Sequence, residues 1–453
     1  MTYILILFLT YVLHLLLKLN WVCTAVVLVF LLVMQLFHRI KGQRFQEARK
    51  RFLDVSLYID TLLYSFLKEQ KIIRAFEDVK STLADGHMKE TVSRAIDHMM
   101  LTFDETEVFV DAMRIIEDEY KCNRIVNAHE FMAHAEYYGG DIKESARILL
   151  KDKSAWERRI LRNIEDRQRM FHQIILSVVT SVIISGIILY LPVLSMDISS
   201  NIIVQILSAA LIVLDDLIIL WGQKFLEVDY LGIDLLPEDD KHAKKLDEYK
   251  AYNPAKELRT SILMAIIPAL ASAFLLYTDR QWPAVAAMGA ALICLNQHRI
   301  GHRLMKKNLI ADVKSAFPKW LMDLALLIQS ENVQVAIQKS REHIPVILKE
   351  EVNTLVERLD VEPESSDPYH RFLDCLNLPE INAAMGMLYA VSIGNSGNCG
   401  SQIDELITKN LEMLDVADTA RLKDKTAGMY LLFLAPVITA SFKMIVDMAI
   451  FLI

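Results

Sequence analysis

Long apolar runs alternate along this chain with stretches in which apolar residues recur every three or four positions. The runs at 3–17, 20–37, 173–194, 202–220, 261–278, 282–297 and 428–453 predict seven membrane spans, since about 20 apolar residues in a helix cover the hydrocarbon core. The first is short, and Lys18 can snorkel to the interface beside it; Asn296 and Gln297 interrupt the sixth late. Between the runs, Val55, Ile59, Leu62, Leu63, Phe66 and Leu67 make the stripe of an amphipathic helix, as do Leu321, Leu324, Leu327 and Ile328. A polar break follows each stripe (Glu69 to Lys71; Glu331 and Asn332). A second helix then carries Ile72, Phe76 and Val79, or Val333 and Ile337. Loops are predicted at Phe103–Thr106 and Glu362–Asp367, with helices around 106–120, 123–138, 369–377 and 380–393. Glycines stop the last helix of each set: Gly139 and Gly140, then Gly394, Gly397 and Gly400. A long helix begins after each, through Ile142, Trp156 and Ile164 or through Ile403, Leu411 and Leu414. No strand-period segment interrupts this order.

The pattern occurs twice, 261 residues apart. Trp21 answers Trp282 (282 − 21), Ala75 answers Ala336, Glu90 answers Glu351, and Ile142 and Glu144 answer Ile403 and Glu405. Repeats of this kind set the architecture. The fold class is all-α: a polytopic membrane protein with about seven transmembrane helices and two cytoplasmic helical-bundle modules in tandem. Its parts are a span pair (1–40), a first module (41–172), a span pair (173–220), a cytoplasmic linker (221–260), a span pair (261–297), a second module (298–427) and a last span (428–453). The span at 202–220 has no counterpart and returns the chain to the cytoplasm, so both copies share one orientation, as in parallel repeats.

Composition agrees. Of 453 residues 53% are hydrophobic, mean hydropathy is +0.28, and 23% are charged, so a large share of the chain stands in water. Gly 14 and Pro 11 are too few for a turn-rich all-β fold. A net charge of −8 gives no nucleic-acid footprint. Five cysteines without C-x-x-C spacing, Cys23 and Cys294 in apolar runs, read as reduced thiols. Met1-Thr2-Tyr3 lacks the basic region of a signal peptide, and 3–17 is read as a retained helix. Lys and Arg crowd the ends of spans at Arg39–Arg51, Arg158–Arg169, Arg303–Lys307 and Arg421–Lys425. Lys18 and Arg280 are the basic residues of the opposite loops. This bias puts the N-terminus and both modules in the cytoplasm and the C-terminus outside.

The order of first helix, polar break, second helix, glycine turn and long helix ahead of a span resembles the type II secretion system F-domain family. The stretches that carry the likeness are Tyr58–Val79 with Tyr137–Leu149, and Pro318–Ile337 with Ser392–Leu411. Span pairs ahead of each module look most like the TadB/TadC-type branch of tight-adherence (Tad/Flp) pili, here as a fusion of one such protein to another. The likeness covers nearly all of the chain except 221–260. It implies a cytoplasmic (inner) membrane platform that couples a cytoplasmic secretion ATPase to pilin-like subunits in the lipid bilayer. It also implies a capacity for a homo-oligomer, with no enzyme activity and no cofactor. Copy one departs from the family turn, having Tyr138-Gly139-Gly140 in place of a Gly-Glu/Ser-Gly sequence. The turn residues Gly139, Gly140, Gly397 and Gly400, with Glu144 and Glu405 beyond them, are the candidate module surface or caps.

Four intramembrane charges are the other candidates. Asp215 and Asp216 lie in the fourth span about a turn and a half from its end, open to pairing with other helices or to an ion path. Lys443 and Asp447 stand i, i+4 in the last span and can neutralise each other. His129 and His134 are spaced i, i+5, out of register for the one-face pair of an H-E-x-x-H zinc motif, and read as surface or partly buried histidines. No G-x-x-x-x-G-K-[ST] phosphate loop and no nucleophile triad stands out. The competing function is a secondary transporter on parallel repeats, using Asp215 and Asp216.

Overall fold

The computed structural model describes all residues except 1, 102–107, 139–141, 191–199, 233–239, 278–280, 329–330, 343, 395–398 and 453, and among those described no strand occurs. Five helices are long and apolar enough to cross a membrane: Trp21–Glu69, Ile142–Ile187, Ile202–Lys224, Lys256–Leu275 and Gly428–Ile450. This is a helical membrane protein. Of the other two apolar runs, one forms the shorter helix Tyr3–Leu16. The other, 282–297, opens the helix Gln281–Leu327, where Gln281, Asn296, Gln297 and His298 dilute it.

The chain divides into two compact units, one of residues 1–235 with 422–453, the other of residues 236–421. In the first unit α1 (Thr2–Leu16) and α2 (Trp21–Glu69) form a hairpin. Its turn is capped at Asn20, whose side chain accepts from the Cys23 N–H at 2.7 Å. Gln70 ends α2 in the left-handed region (φ 53) and its N–H reaches Phe66 O, so α3 (Ile72–Thr82) folds back at the expected polar break. Then come α4 (His87–Leu101), α5 (Val108–Tyr120), α6 (Asn123–Tyr138), α7 (Ile142–Ile188) and α8 (Ile202–Lys224). The bundle core is aromatic: Phe52, Tyr58, Phe66, Phe76 and Trp156 are all buried, with Phe52 edge-on to Trp156 at 4.9 Å.

The second unit holds α9 (Asp240–Lys250), α10 (Pro254–Tyr277), α11 (Gln281–Leu327), α12 (Val333–Lys339), α13 (Lys349–Val361), α14 (Asp367–His370) and α15 (Pro379–Ile393). It also takes α16 (Cys399–Leu452) as far as Arg421. Trp320 stacks on Phe372 at 5.5 Å and donates Nε1–H to Ser340 Oγ at 2.9 Å. Asn410 of α16 donates to the Pro318 carbonyl at 2.8 Å.

The pattern reading needs three corrections. Helices α4 and α13 were unassigned, and α9 occupies part of the linker. The helix expected at 369–377 is broken: α14 ends at His370, and Leu373 (φ 55) and Asn377 (φ 50) are left-handed on either side of a 3-10 turn, before Pro379 opens α15. Gly394 does end α15, but at φ −60, ψ 129, so this glycine is extended and not left-handed.

Contacts fix helix directions within each unit. Between α2 and α8, Asn20 meets Gln205, His38 meets Gln223 and Lys41 meets Glu227, at sequence separations of 185, 185 and 186. Constant separation means parallel helices. Ser177 meets Phe433, and further along both helices Ser181 bonds Asp215 with Thr439 beside the same carboxyl; α7 and the end of α16 are therefore parallel too. In the second unit α10 and α11 are antiparallel, with Ser272 bonded to the Ala284 carbonyl and Gln297 to Met264.

Candidate functional site

A polar seam runs between apolar helices of the first unit. Adjacent residues on a helix point about 100° apart, and α8 uses this to send its two acids to different neighbours. Asp216 faces α2, where His38 Nε2 stands 3.2 Å from Oδ1 and the same ring's Nδ1 is 2.8 Å from Gln223 Oε1. One turn on, Lys41 Nζ meets Glu227 at 3.4 Å. Asp215, only 2% exposed, faces α7 and the end of α16. Ser181 Oγ donates to its Oδ2 at 3.4 Å, and Thr439, whose hydroxyl donates to the Pro436 carbonyl at 2.9 Å, lies beside the carboxyl, while Oδ1 has no partner.

The wall opposite is made by Ser177, Ser181 and Ser185, buried at i, i+4 and i+8 on one face of α7. Ser177 Oγ donates to the Phe433 carbonyl at 2.8 Å; Ser185 Oγ is buried and unpartnered. Further along α16, Lys443 Nζ contacts Asp447 Oδ2 at 2.5 Å, with the two side chains 2% and 1% exposed. A buried ion pair is tolerable only when each charge meets the other, because removing either from water costs several kcal/mol. The seam can hold charge inside the bilayer and lock helices at one rotation.

The water-facing candidates behave differently. Glu144 lies in the first turn of α7, where the helix dipole favours an acid, and pairs with Arg147 at 3.2 Å. Glu405 is exposed but sits well inside α16, which begins at Cys399. Gly400 is consequently helical and belongs to no turn, while Gly139, Gly140 and Gly397 lie outside the described residues. A cleft in the second unit has an apolar floor of Phe317, Ile381 and Met413, bordered by the pairs Lys314–Glu380 (3.1 Å) and Lys409–Glu412 (3.2 Å).

His129 is not a surface or partly buried residue: it is 1% exposed. Its Nε2 is 2.6 Å from Tyr58 Oη and its Nδ1 is 2.7 Å from Glu117 Oε1. Since the carboxylate only accepts, Nδ1–H donates to it and the Tyr58 hydroxyl donates to Nε2, which satisfies a neutral ring. Burial holds the His129 pKa below its ordinary value against the opposing hydrogen bond and charge of Glu117. His134 is exposed, so the two rings do not share a site. Among the described residues no group of three or more His, Cys, Asp or Glu could hold a metal, and Cys23, Cys122, Cys294 and Cys375 form no disulfide.

Sequence reasoning missed His38, the serine row and Thr439. The row had a usable signal, since three serines at four-residue spacing inside an apolar run mark one face. The Tyr58–His129–Glu117 group had none, because 71 residues separate the first two. No protein-family model, curated protein or solved structure matches the chain.

Proposed function

We propose that this protein is a cytoplasmic-membrane platform of the type II secretion and type IV pilus class, Tad/Flp-like, that couples a cytoplasmic secretion ATPase to the assembly or secretion of pilin-like subunits. The chain has no catalytic centre of its own in this reading. One observation carries it: α7 and α16, of 47 and 54 residues, each begin in a polar region and end in an apolar stretch. Corresponding residues Ile142 and Ile403 lie near the start of both. At 1.5 Å per residue such helices span roughly 70–80 Å, enough to carry a push or rotation from a soluble motor into the bilayer.

Element order supports the duplication. Helices α3 and α12 begin at Ile72 and Val333, positions separated by the same 261 residues as Trp21 and Trp282. In this arrangement there are seven spans, two F-type modules in the cytoplasm, an N-terminus inside and a C-terminus outside. The parallel pairs α2/α8 and α7/α16 agree with that alternation. The antiparallel hairpin α10/α11 supports counting the apolar start of α11 as the sixth span.

The test is cross-linking of the full-length protein in its native cells, followed by purification and mass spectrometry. A secretion ATPase and pilin-like subunits among the captured proteins support the platform. Capture of neither, with the membrane protein itself recovered intact, overturns it.

A further inference from the structure

Five carboxylates among the described residues have one buried oxygen with no hydrogen-bond partner: Asp215, Asp216, Glu227, Glu380 and Asp447. Four of them have a basic partner on the other oxygen, namely His38, Lys41, Lys314 and Lys443. Asp215 is the exception. Its partner is the hydroxyl of Ser181, the Thr439 hydroxyl lies beside it while donating to the Pro436 carbonyl, and it is 2% exposed inside an apolar helix packing. A carboxylate in such a place costs several kcal/mol unless a positive charge meets it. Among the described residues no neighbouring element offers that charge. On α7 the facing groups are Ser177, Ser181 and Ser185; on α16 they are Thr439 and, one and two turns on, Lys443 and Asp447, which bind each other. The adjacent Asp216 of α8 turns to His38 of α2.

We propose that Asp215, Ser181 and Thr439 form an intramembrane site for one monovalent cation, a proton or a sodium ion, held between α7, α8 and the end of α16. One carboxylate balances one charge, and the surrounding donors are oxygens, the ligands that hard cations take. Ser185, one turn along α7 and itself unpartnered, continues the same row of oxygens. Three helices contribute to the site, so its occupancy ties them together. The inference does not depend on the platform reading.

Full-length protein in lipid nanodiscs tests it, with the thermal unfolding midpoint measured against sodium in a choline background at several pH values. For a sodium site, sodium raises the wild-type midpoint; for a proton site, lowering the pH raises it relative to Asp215→Asn, with no sodium effect. In either case Asp215→Asn loses the dependence. If wild type and variant respond alike to both, the site does not exist. A second measurement covers a variant that fails to fold. Dicyclohexylcarbodiimide attacks protonated carboxyls in apolar surroundings, and mass spectrometry locates the adduct on the wild-type chain. An adduct at Asp215 that falls with added sodium or rising pH supports the site. No adduct there, or one indifferent to both, overturns it.

Discussion

At the residue scale, the Lys443–Asp447 pair makes the sharpest demand on the fold. Both side chains are buried, and each is the other's counter-charge. Lys443→Met should therefore be far worse than its size suggests, since it leaves Asp447 charged and alone; about 3–5 kcal/mol is the usual cost of halving a buried pair. The double variant Lys443→Met/Asp447→Leu should recover most of that loss. Unfolding followed by tryptophan fluorescence reads both, and a double variant as unstable as the single would show that the pair has a role beyond neutralising itself. His129 supplies the second residue-scale prediction. Its folded pKa is depressed by burial, so the unfolded chain takes a proton first as pH falls. Stability contributed by the neutral ring is present above about 6.5, the ordinary value, and is lost as pH drops below it towards the folded pKa. His129→Gln should flatten that acid limb in wild-type and variant denaturation curves, at a cost of about 1–3 kcal/mol near neutral pH for the hydrogen bonds it disturbs.

At the element scale, Gln205 shows how one polar side chain sets the register of three helices. Its amide takes the Asn20 N–H at 2.7 Å and donates to the Lys18 carbonyl at 2.7 Å, holding the left-handed turn between α1 and α2 against the start of α8. From there α2 and α8 run parallel to Lys41 and Glu227. Paired cysteines test this directly: Lys41→Cys with Glu227→Cys should cross-link through a short bifunctional maleimide, which bridges a span too wide for a disulfide, and Lys41→Cys with Ile203→Cys should not. The reverse outcome would make the helices antiparallel. Much at this scale was legible beforehand. The stripe from Val55 to Leu67, the polar breaks and the limits of α6 follow from local periodicity. Leu373 was not legible, because a buried leucine does not announce a left-handed backbone, whereas Asn377 is exposed and of a residue type that visits that region. Nor was the division of labour between Asp215 and Asp216. Two acids in one apolar run reveal a polar function, but which neighbour each meets depends on helices distant in sequence, α2, α7 and α16.

At the scale of the whole molecule, the parity of the spans decides what the duplication means. If only the five helices that satisfy both length and hydropathy crossed the bilayer, module one would follow α2 on one side and module two would follow α10 on the other. Counting the apolar start of α11 restores both to the same side. Two contacts favour that count. Ser272 meets Ala284 near the hairpin tip, and Gln297 meets Met264 far down its legs, so α11 runs back alongside α10. The dilution by Asn296 and Gln297 is then a feature of the inner end of the hairpin, close to Arg299 and Arg303, where polar side chains meet headgroups at little cost. A cysteine-accessibility experiment settles it, using full-length protein whose five native cysteines are replaced by alanine. Single cysteines at Glu144 and Glu405 should both resist a membrane-impermeant maleimide in intact cells and both react once the membrane is permeabilised. Cysteines at Lys18 and Asn201, at the opposite ends of the helices, should react in intact cells. Protection of Glu144→Cys with free labelling of Glu405→Cys would place the two modules on opposite faces, and no single cytoplasmic motor could then drive them both.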